Sequence, residues 1–249
     1  MSGAFTIAAK DFRSLVNSPL FFLLAGVCCA IWSINFLNLL GDFAQRGMFG
    51  QEASIHFTVF LSHLSTVNII LLFAIPALTM KLLAEEKKMR TYDLLLTAPI
   101  TATDIVLGKF LAGYGAALVL MTISFLYPLT TSLVSDFHFG PLLTSYFGLS
   151  LLLAIYVAVG LFSSSLTQSV MFSVILGVLF ILSLWFLSQG INVSDRPLVQ
   201  SVMEHVSLGE QFSGFIRGSL RISSVVFFVS TAVLFVFLTQ RVVESSRWR

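Results

Sequence analysis

Residues 141–189, PLLTSYFGLSLLLAIYVAVGLFSSSLTQSVMFSVILGVLFILSLWFLSQ, decide the fold. They lie within a longer segment, 137–194, that contains no Asp, Glu, Lys or Arg. At about 1.5 Å per residue, one helix over this segment would be far longer than the roughly 30 Å hydrocarbon core of a bilayer. The chain must therefore fold back inside it, and the polar residues 163–169, SSSLTQS, predict the turn between two spans.

The composition of the whole chain agrees with membrane insertion. Of 249 residues, 57% are hydrophobic and only 10% are charged. Soluble domains carry roughly 25% charged residues, so too few charges are present to cover a water-facing surface. We therefore predict a single all-α integral membrane domain over residues 1–249. Its six transmembrane helices are expected at about 20–40, 58–80, 110–133, 141–162, 169–189 and 222–240.

The basic residues are distributed unevenly between the segments that join these spans. If the N-terminus is cytoplasmic, ten of the fourteen fall on the inner side: Lys10, Arg13, Lys81, Lys87, Lys88, Arg90, Lys109, Arg241, Arg247 and Arg249. The outer side holds Arg46, Arg196, Arg217 and Arg221. This bias follows the positive-inside rule and predicts that both termini are cytoplasmic, in a multi-pass protein of the inner cell membrane.

The segment before the first span predicts an amphipathic helix. Its apolar residues recur at helical spacing: Phe5, Ala8, Ala9, Phe12, Leu15 and Val16. We expect this helix to lie flat in the inner interface and to end at Asn17–Pro19. It serves either as a topology anchor or as a docking element for a partner, and the sequence favours neither role.

Residues 81–109, KLLAEEKKMRTYDLLLTAPITATDIVLGK, concentrate nine charges between the second and third spans. Pro99 disfavours helix at the preceding residue, and Thr101 or Thr103 can cap a new helix. We predict a helix, a short amphipathic element and a break on the cytoplasmic face. A solvated loop explains the charges alone, whereas their mixed signs beside Leu94–Leu96 favour a protein contact.

The predicted outer loop, 190–221, shows two short amphipathic patterns separated by Leu208–Gly209. The first contains Val199, Val202, Met203 and Val206, and the second contains Phe212, Phe215, Ile216 and Leu220. We expect both pieces to lie flat in the outer leaflet, and a cap over the outer mouth is the alternative.

Several kinds of chemistry are missing from the sequence. Gly108–Lys109 lacks the other residues of a phosphate-binding loop, so the chain is not expected to hydrolyse ATP itself. No catalytic, cofactor or metal motif occurs, and a net charge of +2 gives no sign of a nucleic-acid partner. The predicted spans contain no charged residue of the kind that ion-coupled carriers use. The large polar residues within them are expected to bond neighbouring helices: Asn35, Asn38, Asn68 and Gln189.

Three segments together resemble the ABC-2-type transporter permeases. Ala84–Lys87, Thr91–Thr101 and Gly108–Phe110 look like the loop between the second and third helices of that family. Gly160–Thr167 extends the resemblance, and Gln211–Gly218 is similar to a stretch of gliding-motility GldF-like permeases. The chain departs from the family at three places. Arg90 stands where Gly is usual, Asp93 where Glu is usual, and Gln168–Ser169 where Glu-Asn is common.

The resemblance implies a permease subunit of an ATP-driven transporter, most simply an exporter. ATP and Mg²⁺ would bind in a separate cytoplasmic ATPase, and this chain would hold no cofactor. The other implied partners are a second permease copy or paralogue, an auxiliary gliding-type membrane subunit and the lipid bilayer. The implied coupling and ATPase-docking residues are Glu85, Glu86, Lys87, Lys88, Arg90, Asp93, Leu94, Leu95, Leu96, Pro99, Thr167 and Gln168.

Two other functions remain open from the sequence. A membrane scaffold or regulator could use the same charged loop to hold a cytoplasmic protein without transporting anything. An ion-coupled carrier or channel is the other alternative, and the uncharged spans disfavour it.

Overall fold

A computed structural model describes residues 3–48, 54–92, 101–131, 139–187 and 206–246, and in these ranges the secondary structure is helical with no strand. The α-helices of the described residues are α1 (Gly3–Val16), α2 (Pro19–Met48), α3 (Leu61–Lys88), α4 (Ala102–Thr131), α5 (Phe139–Leu166), α6 (Val170–Phe186), α7 (Leu208–Ile216) and α8 (Ile222–Ser246). A π-helical turn, His56–Phe60, leads directly into α3. The all-α prediction is confirmed for the described residues.

Among the described residues, five helices are long and apolar enough to cross a membrane: α2, α3 with its π-helical turn, α4, α5 and α8. Several continue beyond the predicted spans, because residues suited to helix flank the apolar runs. The helix that contains the predicted span 58–80, for example, runs on through the charged residues to Lys88. The predicted span 169–189 corresponds to α6, which has 17 described residues and is shorter than the other five.

Helix α5 lies at the centre of the bundle and packs against α3, α4, α6, α7 and α8. About 72% of the most apolar 18 residues of α5 are buried. The corresponding figure is 22% for both α2 and α8, so these two helices expose broad apolar faces. A polar chain links three helices inside this core. The Tyr156 hydroxyl donates to Asn68 Oδ1 (2.9 Å) and accepts from Trp185 Nε1 (2.8 Å). The expectation that Asn68 bonds a neighbouring helix is confirmed.

One end of the bundle gathers α1, the last turn of α3, the first turns of α4, the α5–α6 turn and the C-terminal end of α8. We call it the charged end. Gln240 Nε2 of α8 donates to Thr103 Oγ1 of α4 here (2.9 Å). The α5–α6 turn is shorter than predicted, since α5 continues to Leu166 and only residues 167–169 connect the helices. Ser163–Ser165 remain helical and buried because their hydroxyls bond within α5 or to α3.

Helix α7 lies at the opposite end of the bundle, and its packing corrects the expectation for the second amphipathic piece. Leu208, Phe212 and Phe215 are buried, and Phe215 packs directly onto Gly148 of α5. The helix therefore fills a position in the protein core instead of lying flat on lipid. It also begins at Leu208, so Leu208–Gly209 is part of the helix and not a separator. Most of the first predicted piece lies outside the described residues.

Candidate docking site at the charged end

The C-terminal end of α3 closes with a Schellman motif. The Arg90 N–H donates to the Lys87 carbonyl (3.2 Å), and the Thr91 N–H donates to the Glu86 carbonyl (3.0 Å). Arg90 occupies the left-handed position of this motif, with φ of 57°. Glycine is the usual residue there because it has no Cβ to clash. The permeases that the chain resembles usually have glycine at this position. The left-handed backbone there favours glycine, which accounts for that preference.

Replacing Arg90 by glycine is expected to raise the free energy of unfolding by about 1 kcal/mol, because glycine has no Cβ to clash with the backbone in the left-handed conformation. Arg90→Ala removes the same charge but keeps the Cβ, so it should give no such gain. Thermal unfolding of the two variants in detergent measures the difference. Equal stability of the glycine and alanine variants would contradict the assignment.

Helix α4 begins with a reciprocal cap. The Asp104 N–H donates to Thr101 Oγ1 (3.1 Å), and Asp104 Oδ2 accepts from the Thr101 hydroxyl (2.6 Å). The prediction of a cap at Thr101 is confirmed. The two motifs fix both ends of the predicted coupling segment. The predicted docking residues between them, Asp93, Leu94, Leu95, Leu96 and Pro99, lie outside the described residues.

A buried ion network joins three helices just inside the charged end. Lys109 of α4 is 1% exposed, and its ammonium donates to Asp11 Oδ2 of α1 (3.1 Å) and to Glu86 Oε1 of α3 (2.7 Å). Among the described residues, the other ion pair is the surface pair Arg241–Glu244. A buried charge needs close partners, so Lys109 holds α1 and the end of α3 in place together.

The glycine before Lys109 lets α1 approach α4 closely. A Cβ on Gly108 would lie 2.7 Å from the Ala4 carbonyl oxygen and 2.8 Å from Ile7 Cβ. Further along the interface, Phe12 packs against Gly115. Helix α1 therefore packs mainly on α4, although the sequence predicted a helix lying flat in the interface. The Gly108–Lys109 pair serves this contact, with the glycine giving space and the lysine giving charge.

The C-terminal end of α5, which leads into the α5–α6 turn, is fastened to the end of α3. Ser164 Oγ accepts from the backbone N–H groups of Leu83 (3.2 Å) and Ala84 (2.8 Å). The Lys87 ammonium donates to the Ser165 carbonyl and lies over the Tyr92 ring, 5.1 Å from its centroid. The two connections that the sequence singled out therefore form one unit in the described structure.

A groove of about 1600 Å³ opens between these elements. Its basic side chains are Lys87, Lys88 and Arg90, and the α5–α6 turn contributes Thr167 and Gln168. None of the described residues that line it carries a carboxylate. Its apolar lining comes mainly from α6, with Met80, Leu166 and Val242 adding to it. The groove thus combines positive charge with apolar surface, which suits a protein partner of complementary charge.

Comparison with known families shows which family the chain belongs to. A family model described as ABC-2 family transporter protein matches residues 5–247. The chain belongs to this family. Its members are membrane transport subunits that normally pair with a cytoplasmic ATPase subunit, and the chain is accordingly a multi-pass membrane permease. A search of curated proteins found no match.

The permease brings together five of the seven predicted docking residues that the structure describes. Lys87, Lys88, Arg90, Thr167 and Gln168 all line the groove. The predicted glutamates lie on the other side of the α3 end. There Glu86 binds Lys109, and both Glu85 and Glu86 line a smaller pocket beside α1. Glu86 and Lys87 thus have partners within the permease itself.

Two residues of the ion network, Asp11 and Lys109, were not among the site residues predicted from the sequence. Asp11 shares a helical face with Ala8 and Leu15, and all three are buried. The spacing of these three positions was the available signal, because it places a carboxylate on the apolar face of α1. Lys109 gave a similar signal, because it is the charged residue that immediately precedes the long apolar run of α4.

Proposed function

We propose that this permease is the membrane subunit of an ATP-driven exporter in the inner cell membrane, and that a separate cytoplasmic ATPase docks in the groove at the charged end. The observation that carries the proposal is the joining of the α3 end and the α5–α6 turn into one basic groove. A conformational change in the ATPase can be passed to both α3 and α5 through such a contact.

The proposal places the charged end and both termini in the cytoplasm, with six spans. The basic residues of the groove support this orientation. Support for a sixth span comes from α6, which starts at the α5–α6 turn and ends with Trp185 beside Gly209 of α7 at the opposite end. A helix of 17 residues is at the lower limit for crossing a bilayer.

The partner ATPase is expected to present acidic and apolar surface to the groove. Lys88 and Arg90 are exposed and would make the charged contacts. The segment that carries Leu94–Leu96 would supply a buried apolar anchor, worth roughly 1.5–3 kcal/mol for each leucine that is fully buried. ATP and Mg²⁺ would bind in the ATPase, since the permease sequence has no phosphate-binding loop.

A second permease copy or paralogue completes the proposed transporter. The exposed apolar faces of α2 and α8 are available for lipid or for this partner. The gliding-type subtype and its auxiliary membrane subunit rest on the Gln211–Gly218 motif. In the structure this motif belongs to α7, where Phe212 and Phe215 pack into the core.

Reversing the groove charges tests the docking proposal. The double variant Lys88→Glu/Arg90→Glu is expected to bind an ATPase that co-purifies with the wild-type permease roughly tenfold or more weakly, because like charges would then face each other. Both side chains are exposed, so folding should be preserved. Co-purification and a binding titration in detergent measure the effect.

The matched control is Arg217→Glu/Arg221→Glu, which makes the same charge change at the exposed end of α7 and before α8. It should leave ATPase binding unchanged. Equal binding by wild type and by the groove variant would rule out the groove as the docking site. Equal weakening by both variants would point to net charge instead of a specific contact.

A further inference from the structure

The last turn of α3 separates the groove from α1. Lys87, Lys88 and Arg90 line the groove, whereas Glu85 and Glu86 line the pocket on the other side of this turn, beside α1. Within the described ranges, no residue of α1 lines the groove. The last turn of α3 is therefore the part of the described structure through which α1 can affect the groove.

Glu86 takes part in contacts on both sides of this turn. Its side-chain Oε1 accepts from the Lys109 ammonium (2.7 Å), and its backbone carbonyl accepts from the Thr91 N–H (3.0 Å) and from the Thr91 hydroxyl (3.3 Å). The bonds from Thr91 belong to the motif that holds Arg90 in its left-handed conformation. Helix ends fray when such groups are not bonded. Lys109 thus holds the residue on which the position of the groove cations depends.

Asp11 is the residue through which α1 takes part in this arrangement. It is the single acidic residue of α1, and it is buried with its Oδ2 3.1 Å from the Lys109 ammonium. Helix α1 packs mainly on α4 and makes few contacts with α3 itself. The network of Asp11, Lys109 and Glu86 is therefore a polar link between α1 and the end of α3.

The strength of this link depends on α1 being in place. Lys109 is almost fully buried when α1 is packed on α4. Detachment of α1 removes Asp11 from the network and lets water reach the Lys109 ammonium. Water screens the attraction between Lys109 and Glu86, so the end of α3 is then held less firmly.

We propose that α1 controls ATPase docking at a groove that it does not line, with Asp11 and Lys109 as positioning residues. The inference rests on the proposed docking of an ATPase in the groove. When α1 is packed on α4, the end of α3 is held and the groove binds the ATPase more tightly. Thermodynamic linkage requires the reciprocal effect, so a docked ATPase holds α1 on α4 by the same factor.

The detachment of α1 can be measured at Ala8, which is buried on the same face of α1 as Asp11. Cys28 and Cys29 are replaced by alanine and Ala8 by cysteine. A water-soluble maleimide then labels the new thiol at a rate set by the detached fraction of α1. Mass spectrometry of the permease gives this rate with and without a saturating amount of an ATPase that co-purifies with the wild-type permease. The docked ATPase is expected to slow the labelling about fivefold or more.

Two controls separate linkage from direct coverage of α1 by the ATPase. Ala9→Cys places the thiol on the exposed side of α1, and its labelling rate should not change when the ATPase docks. Asp11→Asn/Glu86→Gln/Lys109→Met, combined with Ala8→Cys, removes the network charges. The ATPase should still bind this variant but should no longer slow its labelling. A purely structural role of the network would change the labelling rate without ATPase and leave the effect of the ATPase intact.

Three results would overturn the inference. In the first, the ATPase slows the labelling of Ala8→Cys equally with and without the network. In the second, it slows Ala8→Cys and Ala9→Cys equally, which would show that it covers α1. In the third, it binds and leaves the labelling of Ala8→Cys unchanged, which would make α1 and the groove independent. If Lys88→Glu/Arg90→Glu does not weaken binding, the proposed docking site itself is wrong and the inference fails with it.

Discussion

Replacing Lys109 by methionine is expected to lower the free energy of unfolding by about 3–5 kcal/mol, because Asp11 and Glu86 are left as largely buried carboxylates without their cation. The side chains of Asp11 and Glu86 are 12% and 24% exposed, so water reaches them only in part. Thermal and denaturant unfolding of the detergent-solubilised permease measure the loss. The same variant should weaken coupling to the ATPase, since the end of α3 loses its anchor.

Two comparisons make the Lys109 result specific. Arg241→Met removes a cation from the exposed pair with Glu244, and surface pairs contribute only about 0–1 kcal/mol. The triple variant Asp11→Asn/Glu86→Gln/Lys109→Met removes all three charges and should recover much of the lost stability. Equal free energies of unfolding for Lys109→Met and Arg241→Met would contradict the buried network. A triple variant that is no more stable than Lys109→Met would also contradict it.

Replacing Gly108 by leucine is expected to detach α1 from α4. The new side chain would need the space taken by the Ala4 carbonyl and Ile7, and a backbone group cannot move aside cheaply. Overpacking typically costs 1–3 kcal/mol, so the detached state should become roughly tenfold more populated. Trypsin cleaves after Lys and Arg, so its cleavage at Lys10 and Arg13 of α1 measures how often this helix is detached. Cleavage after Arg13 should accelerate about tenfold.

Gly26→Leu is the matched control, since a Cβ on Gly26 of α2 meets nothing within 4 Å. It adds the same side chain in a spanning helix and should leave trypsin cleavage of α1 unchanged. Unaltered cleavage in Gly108→Leu would mean that α1 does not depend on the close contact. Acceleration in both variants would indicate a general loss of stability.

Five of the six predicted spans correspond to described helices that are long and apolar enough to cross a membrane, because such helices can be recognised from apolar length. The two spans predicted within residues 141–189 correspond to α5 and α6. The first amphipathic segment corresponds to α1, which ends before Pro19 as predicted. Helix ends were less predictable. A helix was predicted at the start of residues 81–109 without a stated end, and α3 continues through Glu85 to Lys88. Glu and Lys are good helix formers, and Ser164 and Ser165 bond to this last part of α3.

The candidate site was predictable in its parts but not in its assembly. The charge cluster identified Lys87, Lys88 and Arg90, and the polar turn identified Thr167 and Gln168. No local pattern shows that Lys87 reaches Ser165, because the two are 78 residues apart. The same holds for Asp11 and Lys109, which are 98 residues apart and meet only when α1 folds onto α4. Long-range pairing of this kind is decided by tertiary packing.

The rate of ATP hydrolysis by the partner ATPase, measured with and without this permease in liposomes, tests the central claim most directly. The account predicts that the wild-type permease changes the rate and that Lys88→Glu/Arg90→Glu abolishes the change, while Arg217→Glu/Arg221→Glu preserves it. A scaffold would bind the ATPase without altering its rate. An unchanged rate in the presence of a bound, folded permease would contradict the account.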